Sequence, residues 1–296
     1  MSDKKKGLFF VLTGILLMSL DPVFIRMSGA SGWDTAFLFG LFTFFSMSVL
    51  TQAKEKGGIK GAVFSGGLPI IISGLVMGGS GTTLVLAVKH TLVANAVLIM
   101  SVSPVFAAIY SRILLKEKAS PRMLISMAAA MGGIFVITAD SLGTGGMFGN
   151  VMAIVCASFS ALNYVIWRKY PHISRTMVIA LGGFSIAGIS FYAAEPSELN
   201  MHTWLVMAAM GLLSAPVGRV FMSTAARYIT AMEISLFSLS RTFLAPLMIW
   251  LIYAEMPGLS TFTGGVIILA ALIFQSFSYD GSPSPKSLKT PAESGV

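Results

Sequence analysis

The chain consists mainly of long apolar stretches separated by short polar segments. A helix needs roughly 20 predominantly apolar residues to cross a hydrocarbon core of about 30 Å, and each stretch is close to that length. Ten stretches occur, and we number them as predicted membrane segments 1 to 10. They cover residues 7–29, 35–53, 62–88, 91–115, 123–139, 147–167, 176–194, 204–226, 231–253 and 260–279. The pattern predicts an all-α integral membrane protein, with a Ser/Pro/Lys-rich cytoplasmic tail at 280–296 that we expect to be disordered.

The two halves of the sequence resemble each other. The motif LDPVFIR at 20–26 returns as LNYVIWR at 162–168 with an offset of 142 residues. Lys116-Glu117 is answered by Ala254-Glu255 with an offset of 138. Each half has five crossings, an odd number, so the second copy must enter the membrane upside down. We therefore predict two inverted five-helix repeats, at 1–140 and 141–279, which would allow a site at the midplane to open to either side in turn.

Composition and charge agree with this topology. Hydrophobic residues make up 55% of the chain, charged residues make up 11%, and the mean hydropathy is +0.82, which is too apolar for a soluble protein. With the N-terminus placed in the cytoplasm, most of the 20 Lys and Arg residues fall in cytoplasmic loops. We expect a multi-pass protein of the bacterial inner membrane with both termini cytoplasmic. The basic residues are spread over alternate loops, which indicates contact with anionic lipid and not with nucleic acid.

Sequence motifs for nucleotide-driven pumping and for hydrolysis are absent. The chain has no GxxxxGK[ST] phosphate loop, no HExxH pair and no GxSxG elbow, and its three histidines are widely separated. Cys156 is the single cysteine, so no disulfide is available. We expect no enzymatic activity, no metal and no cofactor.

Charged residues inside the predicted segments are the candidate functional groups. A charge at the bilayer centre costs about 2.5 to 3.5 kcal/mol to insert, so such residues normally face protein or water. Heights counted along the helices place most of these candidates at middle depth, with Glu233 and Asn95 near opposite mouths. The candidate substrate-binding residues are Asp21, Asn163, Tyr164, Trp167, Arg219 and Arg241, and the candidate coupling or gating residues are Asp21, Glu233 and Asn95.

Two interpretations of these residues remain open. In one, an arginine binds a substrate carboxylate bidentately, while Asp21 or the aromatic face of Tyr164 or Trp167 meets an ammonium group. In the other, Asp21 and an arginine form a structural or gating pair, and Arg219 pairs with Glu233. Asp21 is also a candidate carrier of a coupling proton, because burial favours a neutral carboxyl, although a neighbouring arginine favours the charged form.

Several motifs resemble those of one known family. They are AVKHTLVANA at 87–96, SPVF at 103–106 and KEK at 116–118, answered by AARYITAME at 225–233 and GGVII at 264–268. Together they resemble the drug/metabolite transporter superfamily, EamA type, over nearly the whole chain. The chain departs from the family's pattern at Arg241-Thr242, where many relatives have an acidic residue followed by proline, and at Phe39, where relatives often have arginine. The resemblance implies secondary transport of small metabolites, often export of amino acids or related compounds, through a cavity lined by both repeats.

These observations predict a secondary active transporter of a small polar or zwitterionic metabolite, such as an amino acid, working by alternating access with export favoured. An exporter of cationic or aromatic compounds is the alternative within transport. A membrane enzyme or a non-transporting scaffold is the alternative from another class. Protons are the candidate coupling ion, and the chain is expected to act in the lipid bilayer as a monomer or homodimer.

Overall fold

The computed structural model describes residues 3–91, 93–139, 146–195, 199–254 and 258–277. Within these ranges every regular element is a helix, which confirms the predicted all-α fold. The helices are α1 (Asp3–Met18), α2 (Asp21–Ser28), α3 (Gly32–Lys54), α4 (Gly58–His90), α5 (Val93–Met100), α6 (Ser103–Leu114), α7 (Pro121–Thr138), α8 (Met147–Lys169), α9 (Arg175–Phe191), α10 (Met201–Ala209), α11 (Ala215–Ala225), α12 (Ala231–Ser238), α13 (Arg241–Tyr253) and α14 (Leu259–Phe277). Each of the ten predicted segments coincides with one helix or with consecutive helices. The predicted boundary at 140–141 and the predicted tail at 280–296 lie outside the described residues.

Long apolar helices identify a membrane protein. Five stretches are long and apolar enough to cross a bilayer: Lys4–Ile25, Gly32–Lys54, Gly58–Ala87, Met147–Lys169 and Met201–Ala225. Shorter apolar helices accompany them, and one of these, α9, has 17 residues. At about 1.5 Å per residue such a helix is about 26 Å long, close to the thickness of the hydrocarbon core.

Segments 1, 4 and 9 are each divided into two short helices. The divisions fall at 19–20, 101–102 and 239–240. Backbone hydrogen bonds to the third residue back bridge each junction, as from Val23 N–H to the Leu20 carbonyl at 3.0 Å. Serine hydroxyls satisfy carbonyl groups there: Ser19, Ser101 and Ser240 donate to carbonyls three or four residues earlier, at 2.7, 2.6 and 2.8 Å. Irregular backbone is tolerated at membrane depth because its polar groups are bonded internally.

Proline accounts for two of these junctions. Pro22 and Pro104 lie in the first turns of α2 and α6, where each removes a backbone N–H that a continuous helix would need. The equivalent position of α13 is Thr242, whose N–H donates to the Leu239 carbonyl at 3.0 Å. The chain at segment 9 is therefore free of this local constraint, and we attribute its junction to tertiary contacts.

Two backbone details recur at the offset of the sequence repeat. The junctions of segments 4 and 9 are 138 residues apart, and so are Lys116 and Ala254, which follow those segments. Lys116 and Ala254 have φ values of 58° and 56°, and they are the non-glycine residues with positive φ in the described part of the chain. Non-glycine residues rarely adopt this conformation. Its occurrence at equivalent positions indicates that the two halves fold alike here.

Segment 8 contains an irregular turn that contacts segment 1. A π-helical turn at Met210–Ser214 separates α10 from α11, just before Pro216. Such turns expose backbone carbonyls, and neighbouring side chains bond them: Ser46 Oγ donates to the Gly211 carbonyl at 3.2 Å. Ser214 Oγ in turn donates to the Leu17 carbonyl at 3.0 Å. This bond joins segment 8 to the junction of segment 1 and sets the height of α11 beside it.

Segments 5 and 10 approach closely at two glycines. A methyl group on Gly133 would lie 2.8 Å from the carbonyl oxygen of Gly264, whereas one on the adjacent Gly132 would meet nothing within 4 Å. Small residues at such contacts allow the backbones of membrane helices to pack directly.

Candidate functional site

The junctions of segments 1 and 9 place two opposite charges at the starts of half-helices. Asp21 is the first residue of α2, and Arg241 is the first residue of α13. The positive end of a helix dipole lies at its N-terminus, so Asp21 is favoured in its position and Arg241 is disfavoured. Asp21 offsets this unfavourable dipole effect at Arg241, whose Nη2 lies 3.9 Å from Asp21 Oδ2.

We call the ion pair of Asp21 and Arg241 open, because its atoms are too far apart for a hydrogen bond and Arg241 reaches solvent. The side chain of Asp21 is 8% exposed and that of Arg241 is 35% exposed. At this separation the attraction is at most about 4 kcal/mol at an effective dielectric constant of about 20, and solvent at Arg241 reduces it. Asp21 Oδ1 is buried without a hydrogen-bond partner, a deficit of about 1 to 3 kcal/mol. The arrangement thus retains one unused acceptor and one accessible guanidinium.

Arg219 joins this pair from segment 8. Its guanidinium carbon lies 4.6 Å from the centre of the Phe39 ring, and both Asp21 and Arg241 are within electrostatic reach. The face of the Phe39 ring thus supports an arginine from the other half of the chain.

The predicted pairing of Arg219 with Glu233 is wrong. Glu233 Oε2 instead accepts hydrogen bonds from the N–H of Thr230 at 2.9 Å and from its hydroxyl at 3.1 Å, and Thr230 Oγ1 accepts from the Glu233 N–H. This capping box begins α12, and Lys4 lies within electrostatic reach of the same carboxylate. Without Glu233, the central cluster of Asp21, Arg219 and Arg241 carries a formal charge of +1. The spacing Thr-x-x-Glu ahead of an apolar run is the sequence signal that identifies the cap.

A polar stripe on α8 faces this cluster. Cys156, Ser160 and Tyr164 are spaced four residues apart and so share one face of the helix. Ser160 Oγ lies 2.7 Å from Ser80 Oγ on α4, and Cys156 Sγ donates to the Ser80 carbonyl at 3.3 Å. Both Cys156 and Tyr164 lie within electrostatic reach of Arg241. Ser80 and Ser160 are not among the predicted site residues, although the four-residue spacing on α8 is visible in the sequence.

Asn163 and Trp167 belong to a separate network. Ser73 Oγ on α4 donates to Asn163 Oδ1 at 2.6 Å and accepts from Trp167 Nε1 at 3.0 Å. Both side chains are buried, and these bonds fasten α8 to α4. The prediction of a shared central site placed Asn163 with Asp21. The structure does not bring Asn163 into the Asp21 cluster. Trp167 approaches the cluster only through an edge-to-face contact with Tyr164, 5.6 Å between ring centres.

The halves of segments 4, 6 and 9 that are predicted to face the cytoplasm pack together tightly. Every residue of α12 from Ala231 to Phe237 is buried, and Ser235 Oγ lies 2.9 Å from Ser103 Oγ on α6. By contrast, Phe243 alone is buried among the described side chains of α13. The side chain of Asn95, on α5, lies outside the described part of the structure. The packing thus closes one end of the bundle around the central cluster more completely than the other.

An ion pair between the two halves lies at this closed end. Arg168, near the end of α8, donates from Nη2 and Nε to Glu117 Oε1 at 3.2 and 3.3 Å. The Arg168 side chain is 3% exposed and that of Glu117 is 19% exposed. Glu117 lies just beyond α6, so the pair ties the end of segment 4 to the end of segment 6.

Comparisons with a family model, with individual proteins and with solved structures agree with one another. The model of the EamA-like transporter family matches residues 5–139 and 147–277. The chain is similar to an uncharacterized transporter of Clostridium kluyveri, 22% identical over 96% of each chain. It is similar to a riboflavin transporter of Brucella anthropi, 22% identical over 64% of this chain and 69% of the relative. A solved crystal structure 15% identical in sequence covers 93% of this chain and 98% of its own with a TM-score of 0.80, which shows a shared fold.

Proposed function

We infer that this chain, which belongs to the EamA-like transporter family, is a secondary active transporter that exports a small zwitterionic metabolite, an amino acid or a related compound. The resemblance found in the sequence is thereby confirmed at the level of the family. The family and the names of its relatives indicate a membrane transporter and not an enzyme. We place it in the bacterial inner membrane with both termini cytoplasmic.

The open pair of Asp21 and Arg241 is the observation that carries the proposed substrate class. An ammonium group can donate to the unused Asp21 Oδ1, and a carboxylate can bind the accessible Arg241 guanidinium bidentately. The formal charge of +1 on the central cluster favours a ligand whose carboxylate is bound by arginine. Half-helices that start at such a site are typical of the discontinuous helices by which transporters bind substrates at the midplane.

In a transporter that works by alternating access, the closed end of the bundle would act as a gate. The contacts of α6, α8 and α12, together with the Glu117–Arg168 pair, would block the cytoplasmic path and must separate when that side opens. The less buried α13 would line the opposite path. Two halves with matching junctions allow this exchange through relative rocking about the site. Export is favoured by the family resemblance.

An aromatic substrate is the second candidate. The chain is similar to a protein named a riboflavin transporter, and Tyr164 lies within electrostatic reach of Arg241 with Trp167 against its edge. A planar ligand could stack on Tyr164 while an arginine binds its polar groups. This candidate retains Arg241 and Tyr164 but requires no ammonium group.

Proteoliposome flux distinguishes these proposals. A thermal-shift screen of the purified protein against a metabolite library first supplies a ligand, because a ligand of the folded state raises its stability. Arg241→Gln should then lower exchange of a carboxylate substrate by about 30-fold, the equivalent of about 2 kcal/mol for lost charge-assisted bonds. Asp21→Asn should impair a zwitterion and spare a ligand without an ammonium group. The exposed Lys60→Gln serves as the control. Full exchange by Arg241→Gln would refute the assigned carboxylate site.

A further inference from the structure

Arg175 is buried at the end of the bundle predicted to face the cytoplasm, with much of its hydrogen-bonding capacity unused. It is the first residue of α9 and is 5% exposed. Nη2 donates to the Trp167 carbonyl at 2.9 Å, which satisfies one of the last four carbonyls of α8. Nε and Nη1 have no hydrogen-bond partner. A buried guanidinium with two unpartnered nitrogens indicates a missing acceptor.

The surroundings of Arg175 add positive charge. Arg227, exposed in the turn after α11, lies within electrostatic reach and repels it. No carboxylate of the described residues forms an ion pair with either arginine. Arg175 also occupies the N-terminus of a 17-residue helix, where the dipole disfavours a cation and favours an anion.

Arg168 increases the imbalance. It lies next in sequence to Trp167, and its Nη1 is also buried without a partner, while its other bonds go to Glu117. Taken together, Arg168, Arg175, Arg227 and Glu117 carry a formal charge of +2. The capping of α8 accounts for the bond from Arg175 Nη2, but it does not account for the unpartnered Nε and Nη1.

We propose that Arg175 and Arg227 form a binding site for an anionic phosphate group between the first turn of α9 and the turn after α11. The site lies apart from the Asp21 cluster and does not depend on which metabolite is transported. A phosphate supplies several acceptor oxygens, which suits the forked donors of two guanidinium groups. Because the first residue of a membrane helix lies near the headgroup level, an anionic lipid of the cytoplasmic leaflet and free phosphate are the two sources of this chemistry. Binding requires a small opening between the two elements, because the free nitrogens of Arg175 lie beneath the surface.

Ligand-dependent thermal stability of the full chain in detergent tests the proposal. The probes are short-chain phosphatidylglycerol, short-chain phosphatidylcholine and inorganic phosphate, with sodium chloride matching ionic strength. Phosphatidylglycerol or phosphate should raise the melting temperature of the wild type and of Lys54→Gln, an exposed cation at the end of α3. The apparent Kd should be about 10- to 100-fold weaker in Arg227→Gln and in Arg175→Gln. Arg227→Gln changes an exposed residue, so it keeps the test valid if Arg175→Gln fails to fold.

The probes assign the source of the anion. Stabilisation by phosphatidylglycerol but not by millimolar phosphate supports the site with lipid as its ligand, and stabilisation by phosphate alone supports it with a soluble anion. Equal stabilisation of Arg227→Gln and Lys54→Gln, or no response to either probe, would overturn the proposal. Binding is the readout, so failure of the transport assignment would leave this result unaffected.

Discussion

Removing the charge of Glu117 should open the side of the transporter that we propose faces the cytoplasm. Arg168 is 3% exposed and donates to Glu117 Oε1 at 3.2 Å, so Glu117→Gln leaves a buried guanidinium beside a neutral amide. Breaking one partner of a buried pair costs about 3 to 5 kcal/mol. Glu117 is 19% exposed, and the amide oxygen of glutamine still accepts a hydrogen bond, so we expect about 2 kcal/mol. This cost destabilises the closed state alone, because both side chains are hydrated once that side opens. It corresponds to about a 30-fold shift of the equilibrium between closed and open states toward the open state.

Cysteine labelling measures that shift directly. Ser235 is fully buried between α12 and α6, so Ser235→Cys in a Cys156→Ser background reports access from the cytoplasmic side. In inside-out vesicles, a membrane-impermeant maleimide should label the Glu117→Gln protein at least about tenfold faster than the parent. Lys118→Gln, an exposed neighbour in the same loop, is the matched control.

A double-mutant cycle separates the pair from general destabilisation. Arg168→Gln should also accelerate labelling, and the double variant should show less than the sum of the two effects, because both remove one interaction. Labelling of Glu117→Gln at the rate of Lys118→Gln would refute the assignment of the pair to closure. Additive effects would mean that the residues act independently.

Three further predictions concern packing, topology and coupling. In a thermal-shift assay in detergent, Gly133→Ala should lower the melting temperature by several degrees, because its methyl group would meet the Gly264 carbonyl. Gly132→Ala, whose methyl group would meet nothing, should change the melting temperature little. Equal effects of the two substitutions would contradict the glycine contact. Single cysteines at Lys116 and Ala254 should be labelled from opposite sides of the membrane, and labelling from one common side would disprove the inverted repeat. If Asp21 carries a coupling proton, collapse of the pH gradient should slow transport by the wild type but not by Asp21→Asn, and an unchanged wild-type rate would exclude this coupling.

Part of the candidate site was predictable from the chain. Asp21, Arg219 and Arg241 are charged residues within apolar segments, and the cost of exposing them to lipid predicts that they meet in the interior. The structure brings these three together. The partner of Glu233 was not predicted, because a Thr-x-x-Glu cap and a long-range ion pair both use the carboxylate, and the local cap forms with little loss of chain entropy.

The sequence by itself determined the helical fold, the approximate limits of the apolar helices, and the membership in a transporter family. These features follow from segment length, apolar composition and motifs, which are local properties of the chain. Tertiary structure decided which polar side chains meet. Asn163 and Tyr164 are adjacent and equally deep, yet Asn163 accepts a hydrogen bond from Ser73 and Tyr164 lies within electrostatic reach of Arg241, because successive helical residues point about 100° apart. Depth can be counted along a sequence, but the rotation of each helix about its axis is set only by packing against its neighbours.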